Sequence, residues 1–357
     1  MKITFLASQY ARISGGNRAL FEYANRLKAA GHEVRWIVLA KSYKGYRLDK
    51  KFMARVRGVS HLPPETIDWM DNSIPIEILP YNHSQYIPQA DILLATAWQT
   101  ADFAAGLPPE NGNKFYFIQH HESLWTREKE QAEKTYRFPF RKMAISTWLK
   151  DILSEKYQQD ADVLVTPVNA GVFHCESKTW NSPARVCMLH HDYDWKGYPE
   201  GIEAVRKVRS QNGNFELVVF GEKLEDPAPL FREAGFEFEY HYRPTRDRLR
   251  EIYASSDIYL CPSWYEGLGM PAMEAMACRC ALVTTDTGGC RDYANDGRTA
   301  LVSPPKDPDL LAQNLSRLLS DEQLLKRLSD EGCKKIREFN WDDNCRHMIR
   351  LFEESLR

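Results

Sequence analysis

Residues Cys261–Gly289 read CPSWYEGLGMPAMEAMACRCALVTTDTGG. The stretch describes a short apolar strand, a glycine-studded turn, a helix opening on proline and a second apolar strand. Two acids, Glu266 and Glu274, bracket the turn with seven residues between them. Gly267 and Gly269 let backbone approach a ligand without a Cβ in the way. Pro271 suits the first turn of a helix, where its missing N–H leaves nothing unpaired. The amides ahead of it and the helix dipole together make an anion site, with a carboxylate at each end. A strand–turn–helix–strand unit of this kind belongs to a parallel α/β sheet, and it sets the reading of the rest of the chain.

The same alternation runs in two blocks. In the first, ITFLAS, VRWIVLA, DILLATA, KFYFIQH, KMAIS and DVLVTPV read as strands. Between the first two lies a helical pattern carrying Leu20, Phe21, Ala24 and Leu27, which stops at Gly31. The proline-rich region 58–90 breaks the rhythm and reads as an insertion or irregular edge. The second block opens near ARVCMLHH and continues through FELVVFG, FEFEYHYR, DIYLCPS and ALVTTD. The expected fold class is therefore α/β, with two doubly wound Rossmann-like domains facing each other across a cleft. The boundaries read as 1–170, a linker 171–184 rich in Asn, Gly, Ser and Pro, and 185–341, with a last helix 342–357 that packs back onto the first domain. Ligands of such sheets bind beyond the carboxyl ends of the strands.

Composition narrows the function classes. The chain has 357 residues, 43% hydrophobic and 27% charged, which suits two cored domains. A net charge of -2 gives no support to a nucleic-acid partner. Residues 1–170 hold 22 Lys+Arg against 18 Asp+Glu, and the remainder 25 against 31. The basic excess gathers between Lys41 and Arg57. A solvated surface is the plainer reading of it, and approach to an anionic membrane face is the sharper one. All eight cysteines follow residue 174 without a CxxC pair, so no zinc site or disulfide framework is expected. The N-terminus offers only a strand-length apolar patch, which points to a cytoplasmic protein, peripheral on the inner membrane face at most.

The chemistry of EGLGMPAME fits a nucleotide sugar. Phosphates suit the turn and helix start, and the two carboxylates can hold the hydroxyls of a ribose (Glu274) and of a second sugar (Glu266). The stretch from Trp264 to Gly289 resembles the signature of retaining GT-B-fold glycosyltransferases, the large E-x7-E family of glycosyl transferases group 1. SGGNRALFEYANRLKAAGHEV is similar to that family's N-terminal glycine loop and first helix. DADVLVTPVNAGVFH, RDRLREIYASSDIYLCPS and DGRTALVSPPKDPDLLAQNLSRLLSD resemble further family segments, so the likeness runs over nearly the whole chain.

The resemblance implies a role for each matching residue. Gly15 and Gly16 would lie close to the donor phosphate or sugar. Lys196, in DWKG, would pair with the donor diphosphate, alongside the loop Gly267, Leu268, Gly269 and Met270. His120, with His121 as rival, would contact the transferred sugar or the acceptor hydroxyl, and Glu266 would bind the sugar ring. The catalytic residues expected are thus His120 and Glu266, and Glu274 completes the donor set. The family's arginine about five residues before the lysine is absent here. His191 stands nearest, and Arg243 is a weaker substitute. The DYD of Asp192–Asp194 resembles a metal-binding DxD, but Lys196 and the helix start already supply positive potential, so neither a metal nor a cofactor is expected.

The implied function is transfer of a hexose, with glucose and UDP favoured, to a polysaccharide or lipid-linked glycan acceptor with retention of configuration. A catalytically silent nucleotide-sugar-binding protein would keep the same site and differ only in turnover. An NAD-dependent dehydrogenase would need G-x-G-x-x-G after the first strand, and SGGNRA lacks that pattern.

Overall fold

In a parallel sheet covered by helices on both faces, strands read as continuous apolar runs. The first strand, β1 (Lys2–Ala7), obeys this: every residue after Lys2 is buried. The computed structural model describes residues 1–11, 14–40, 65–79, 82–211 and 213–357. The basic stretch Lys41–Arg57 lies outside the described residues. The chain divides into two compact units, residues 1–166 with 341–357, and residues 167–340.

The first unit is built on a seven-stranded parallel sheet. Its strands are β1, β2 (Glu33–Val38), β3 (Ile76–Ile78), β4 (Ile92–Ala95), β5 (Asn113–Ile118), β6 (Arg141–Ala144) and β7 (Asp162–Val163), in spatial order 3-2-1-4-5-6-7. The helix Gly15–Ala29 connects β1 to β2. The Ser14 hydroxyl caps it by accepting the Asn17 N–H, and Gly31, at φ +88, follows its end. Its Phe21 ring lies on Trp36 of β2 with centroids 3.9 Å apart. The edge strand β3 has no counterpart in the sequence reading, because its three residues are hemmed by Pro75 and Pro80. The helix Trp341–Ser355 packs within this unit. Trp341 meets Tyr23 at 5.0 Å, Phe352 meets Phe115 at 4.8 Å, and Asn344 donates to the Val165 carbonyl at 2.7 Å.

The second unit carries a six-stranded parallel sheet: β8 (Ala184–His190), β9 (Phe215–Gly221), β10 (Glu239–Tyr242), β11 (Ile258–Cys261), β12 (Ala281–Thr285) and β13 (Ala300–Ser303), ordered 10-9-8-11-12-13. Its core joins Val186, Met188, Val219, Leu260 and Val283 of the strands to Ile202, Val205, Leu315 and Leu328 of flanking helices. The strand order reverses direction between β8 and β11, so their carboxyl ends open where such a sheet binds ligands. The loops that follow these two strands carry Lys196 and Glu266.

Candidate functional site

Beyond β8 the chain makes a tight turn at Asp194–Lys196 and leaves it through Gly197, at φ +65. A Cβ on Gly197 would fall 2.0 Å from the Pro262 carbonyl oxygen, so this position excludes every side chain on two grounds. The close approach lets Trp264 N–H donate to the Trp195 carbonyl at 2.7 Å, which ties the β8 loop to the β11 loop. The indole of Trp264 donates to Glu200 at 3.0 Å and secures the same junction from the side. Locked in this way, Lys196 reaches Glu266, with Nζ 2.7 Å from Oε1. Both side chains are largely buried, and both line a pocket with Leu189, Ser263, Gly269 and Pro271.

Glu266 is held by its backbone as well. Its N–H donates to Thr287, and its carbonyl accepts from Gly289. Gly289 must lack a side chain there, since a Cβ would stand 2.3 Å from the Gly267 carbonyl. Gly269 then caps the helix Met270–Ala277 at φ +90. Its own carbonyl accepts from Ala272 and Met273, so those two amides are satisfied inside the helix. The N–H groups of Gly267, Leu268, Gly269 and Met270 donate to no described residue, although the first three belong to buried residues. A buried amide without an acceptor is costly, and a row of four beside a lysine is an anion site in its chemistry. The anion-binding amides are thus the four of the loop, and none comes from the turn of helix after Pro271.

Glu274 is buried one turn along this helix. Burial first, and the Glu274 charge second, push the Tyr253 phenol well above its ordinary range. The residue is not part of the pocket lining formed by Lys196 and Glu266. His191, at the place of the missing arginine, faces Glu222 at 3.7 Å and accepts the Tyr193 N–H at Nδ1. Arg243 is exposed at the end of β10, with its N–H on the Gly221 carbonyl. Asp192 and Asp194 are exposed, and among the described residues no group of three or more His, Cys, Asp or Glu is placed to hold a metal ion. Cys278 and Cys280 are buried thiols.

In the first unit, Gly15 and Gly16 form the first turn of their helix. A Cβ on Gly16 would lie 3.1 Å from Gln119 Oε1, an oxygen buried without a hydrogen-bond partner among the described residues. Gln119 escaped the sequence reading, because a lone glutamine before a histidine pair carries no spacing signal. The pair itself divides. His121 is buried, with Nε2 2.9 Å from the Tyr157 hydroxyl and 3.2 Å from that of Ser123. Burial, helped by the Lys156 and His120 charges, lowers its pKa to about 4, so it is a neutral packing residue. His120 is half-buried, its ring edge-on to Trp125 at 6.4 Å. Of the two, only His120 remains as a candidate for contact with substrate.

Comparison with known proteins bears on this geometry. Residues 176–335 match the family described as glycosyl transferases group 1. The chain is 36% identical over 163 residues to alpha-maltose-1-phosphate synthase of Mycobacterium tuberculosis, spanning 41% of each. It is 30% identical over 142 residues to the D-inositol 3-phosphate glycosyltransferase of Streptomyces bingchenggensis, spanning 38% of this chain and 31% of that protein. The chain thus matches well under half the length of these curated relatives. Among solved structures, Anabaena Alr3699/HepE in complex with UDP and glucose superposes with a TM-score of 0.77 at 15% identity, over 99% of this chain and 100% of that one. The two parallel sheets and these neighbours place the chain in the two-domain α/β GT-B fold class.

Proposed function

We propose that this chain, whose residues 176–335 form a domain of the group 1 glycosyltransferase family, transfers a hexose from a nucleotide-diphosphate sugar to a glycan acceptor. The observation that carries the reading is the row of four free amides, Gly267 to Met270, set beside Lys196 in one pocket. Amides and ammonium together match a diphosphate: the amides fix its oxygens and the lysine balances its charge.

In the donor-free protein Lys196 is neutralised by Glu266. An arriving diphosphate competes for the lysine and leaves the Glu266 carboxylate free to accept hydrogen bonds from hydroxyls of the transferred sugar. One ion pair thereby holds both ligands of the reaction centre in place until the donor separates them. Glu274 is assigned the ribose, and His120 the transferred sugar or acceptor hydroxyl. As the glycosidic bond to phosphate lengthens, negative charge builds on the leaving diphosphate, where the loop amides and Lys196 already point. Stabilisation of that charge by fixed donors is the main source of rate. The departing phosphate takes the acceptor proton on the same face, so configuration is retained. Glu266 and Glu274 flank an anion site and not a scissile bond, which sets this apart from a two-carboxylate hydrolase.

The donor favoured is UDP-glucose, the acceptor a polysaccharide or lipid-linked glycan, and transfer is proposed to need neither metal nor cofactor. The protein is assigned to the cytoplasm, with peripheral contact at the inner membrane face through the Lys41–Arg57 stretch. No helix among the described residues is long and apolar enough to cross a membrane. Calorimetry with UDP, GDP, ADP and dTDP, with and without EDTA, on wild type and Glu274→Ala tests the core of this reading. One nucleotide binding tightly in either buffer, and at least tenfold more weakly to the variant (about 1.4 kcal/mol), is expected. Absence of binding by all four would overturn it. Turnover of the matching nucleotide sugar then separates a transferase from a silent binding protein.

A further inference from the structure

The loop between β8 and Lys196 reads H-D-Y-D-W, with rings and acids in alternation from His191 to Trp195. In the structure its rings line up. His191 and Tyr193 have centroids 4.3 Å apart, and Tyr193 and Trp195 lie 4.2 Å apart with planes 17° from parallel. Trp195 and Tyr265 continue the row at 5.9 Å and 15°. At that separation near-parallel rings are offset sideways by roughly 4–5 Å, so the row is stepped and leaves aromatic faces uncovered. Tyr193, in the middle, is 37% exposed. Asp192 and Asp194 are both exposed between the rings, and the Asp194 charge reaches the Tyr265 hydroxyl, raising its pKa after burial has done so first.

We propose that this stepped row of His191, Tyr193, Trp195 and Tyr265 is a binding platform for a neutral oligosaccharide, the glycan end of the acceptor. The inference rests on the transferase reading and deepens it. A hexose ring offers apolar C–H faces that lie flat on aromatic faces, and a girdle of hydroxyls that donate to carboxylates. Rings alternating with acids meet both halves of that surface. The same acids oppose an anionic ligand, and the charge of a nucleotide is already met by the amides beyond Glu266. The platform is also joined to the donor site by the chain itself. Trp195 precedes Lys196, Tyr265 precedes Glu266, and the Trp264 N–H to Trp195 carbonyl bond ties the two loops together. A sugar resting on Trp195 and Tyr265 is therefore next to the Lys196–Glu266 pair.

The test titrates wild type, Tyr193→Ala, Trp195→Ala and Trp195→Phe with maltohexaose, mannohexaose and galactohexaose by saturation-transfer NMR. The same samples are titrated with UDP, GDP, ADP and dTDP by calorimetry. At least one hexasaccharide is expected to bind wild type, to lose about tenfold or more in affinity in both alanine variants (a cost of about 1.4 kcal/mol), and to be retained by Trp195→Phe. Nucleotide affinity is expected to be the same in wild type and Tyr193→Ala. The platform is overturned if no hexasaccharide binds, or if the alanine variants bind as well as wild type. It is equally overturned if Tyr193→Ala weakens the nucleotide instead, which would give the rings to the base. Wild type that binds a hexasaccharide but no nucleotide would keep the platform and sink the transferase reading.

Discussion

Lys196 Nζ and Glu266 Oε1 meet at 2.7 Å across two loops that leave the ends of β8 and β11. Each residue is the other's competitor for substrate, since what neutralises the lysine in the empty site is the carboxylate assigned to the sugar. Substitutions at the two positions therefore have opposite effects on nucleotide binding.

Glu266→Gln removes the charge that competes with a diphosphate. Nucleoside diphosphate affinity rises roughly two- to tenfold, as expected for relief of a partly exposed ion pair, while sugar transfer is lost. Lys196→Ala does the reverse, weakening the diphosphate by about 10–100-fold, the worth of a charged hydrogen bond, and leaving the parent nucleoside unaffected. Calorimetry on the four combinations checks this. Equal losses in both variants would show that the pair acts only as a structural bridge.

Gly197→Ala pushes a methyl group toward the Pro262 carbonyl at a φ that L-residues avoid. A loss of about 2–4 kcal/mol in the second unit follows, from overpacking and left-handed strain together. Thermal unfolding measures it, with Gly235→Ala as the control. Gly235 has a φ of +78 but nothing near its Cβ position, so it isolates the strain from the clash.

Neighbouring residues in the first unit respond to pH with opposite sign. Burial raises the pKa of Glu122 to about 7, against the hydrogen bonds it accepts from Tyr116 and the Trp98 amide. Its folded-state pKa lies above the unfolded value, so its contribution is complete below about 4.5 and disappears as pH rises through 7. For His121 the folded pKa is depressed, so its contribution is present above 6.5 and is lost as pH falls through about 4. Both hydrogen bonds reach the same carboxylate oxygen, and the amide oxygen of Glu122→Gln can keep them. The melting temperature of that variant relative to wild type rises steadily between pH 4.5 and 7. A constant difference over this range would show that Glu122 does not titrate there.

Phe352→Ala empties a fully buried site against Phe115. A cost of about 3–5 kcal/mol is expected for the first unit. Hydrogen exchange should show the loss concentrated on β4, β5 and β6 and their helices, with residues 167–340 retaining wild-type protection.

Much of this molecule can be read from its letters, for a physical reason. The strand FELVVFG forms β9 over the same residues, Phe215–Gly221, because apolar runs in a buried parallel sheet have no competing reading. The stop at Gly31 and the helix opening at Met270 follow from glycine and proline chemistry in the same way. Segments without that signal stayed dark. DVLVTPV reads as a full strand, yet only Asp162–Val163 pair, since Pro167 sits within the segment and β7 is the last strand at its edge of the sheet. His120 and His121 are adjacent letters, and only three-dimensional burial by Tyr136 and Tyr157 tells them apart. The rings of Tyr193, Trp195 and Tyr265 are spread over two loops, and nothing in one dimension shows that Gly197 brings those loops together.

The placement of Trp341–Ser355 has a consequence for biogenesis. The second unit is a single uninterrupted span, residues 167–340, whereas the first is split around it. On a ribosome the span can condense as soon as it emerges, while β1 to β7 wait, with the faces meant for Trp341 and Phe352 bare, until the rest of the polypeptide has been synthesised. The half with the EGLGMPAME loop is thus made as an autonomous cassette, and the other half is the one exposed to chaperones and proteases during translation.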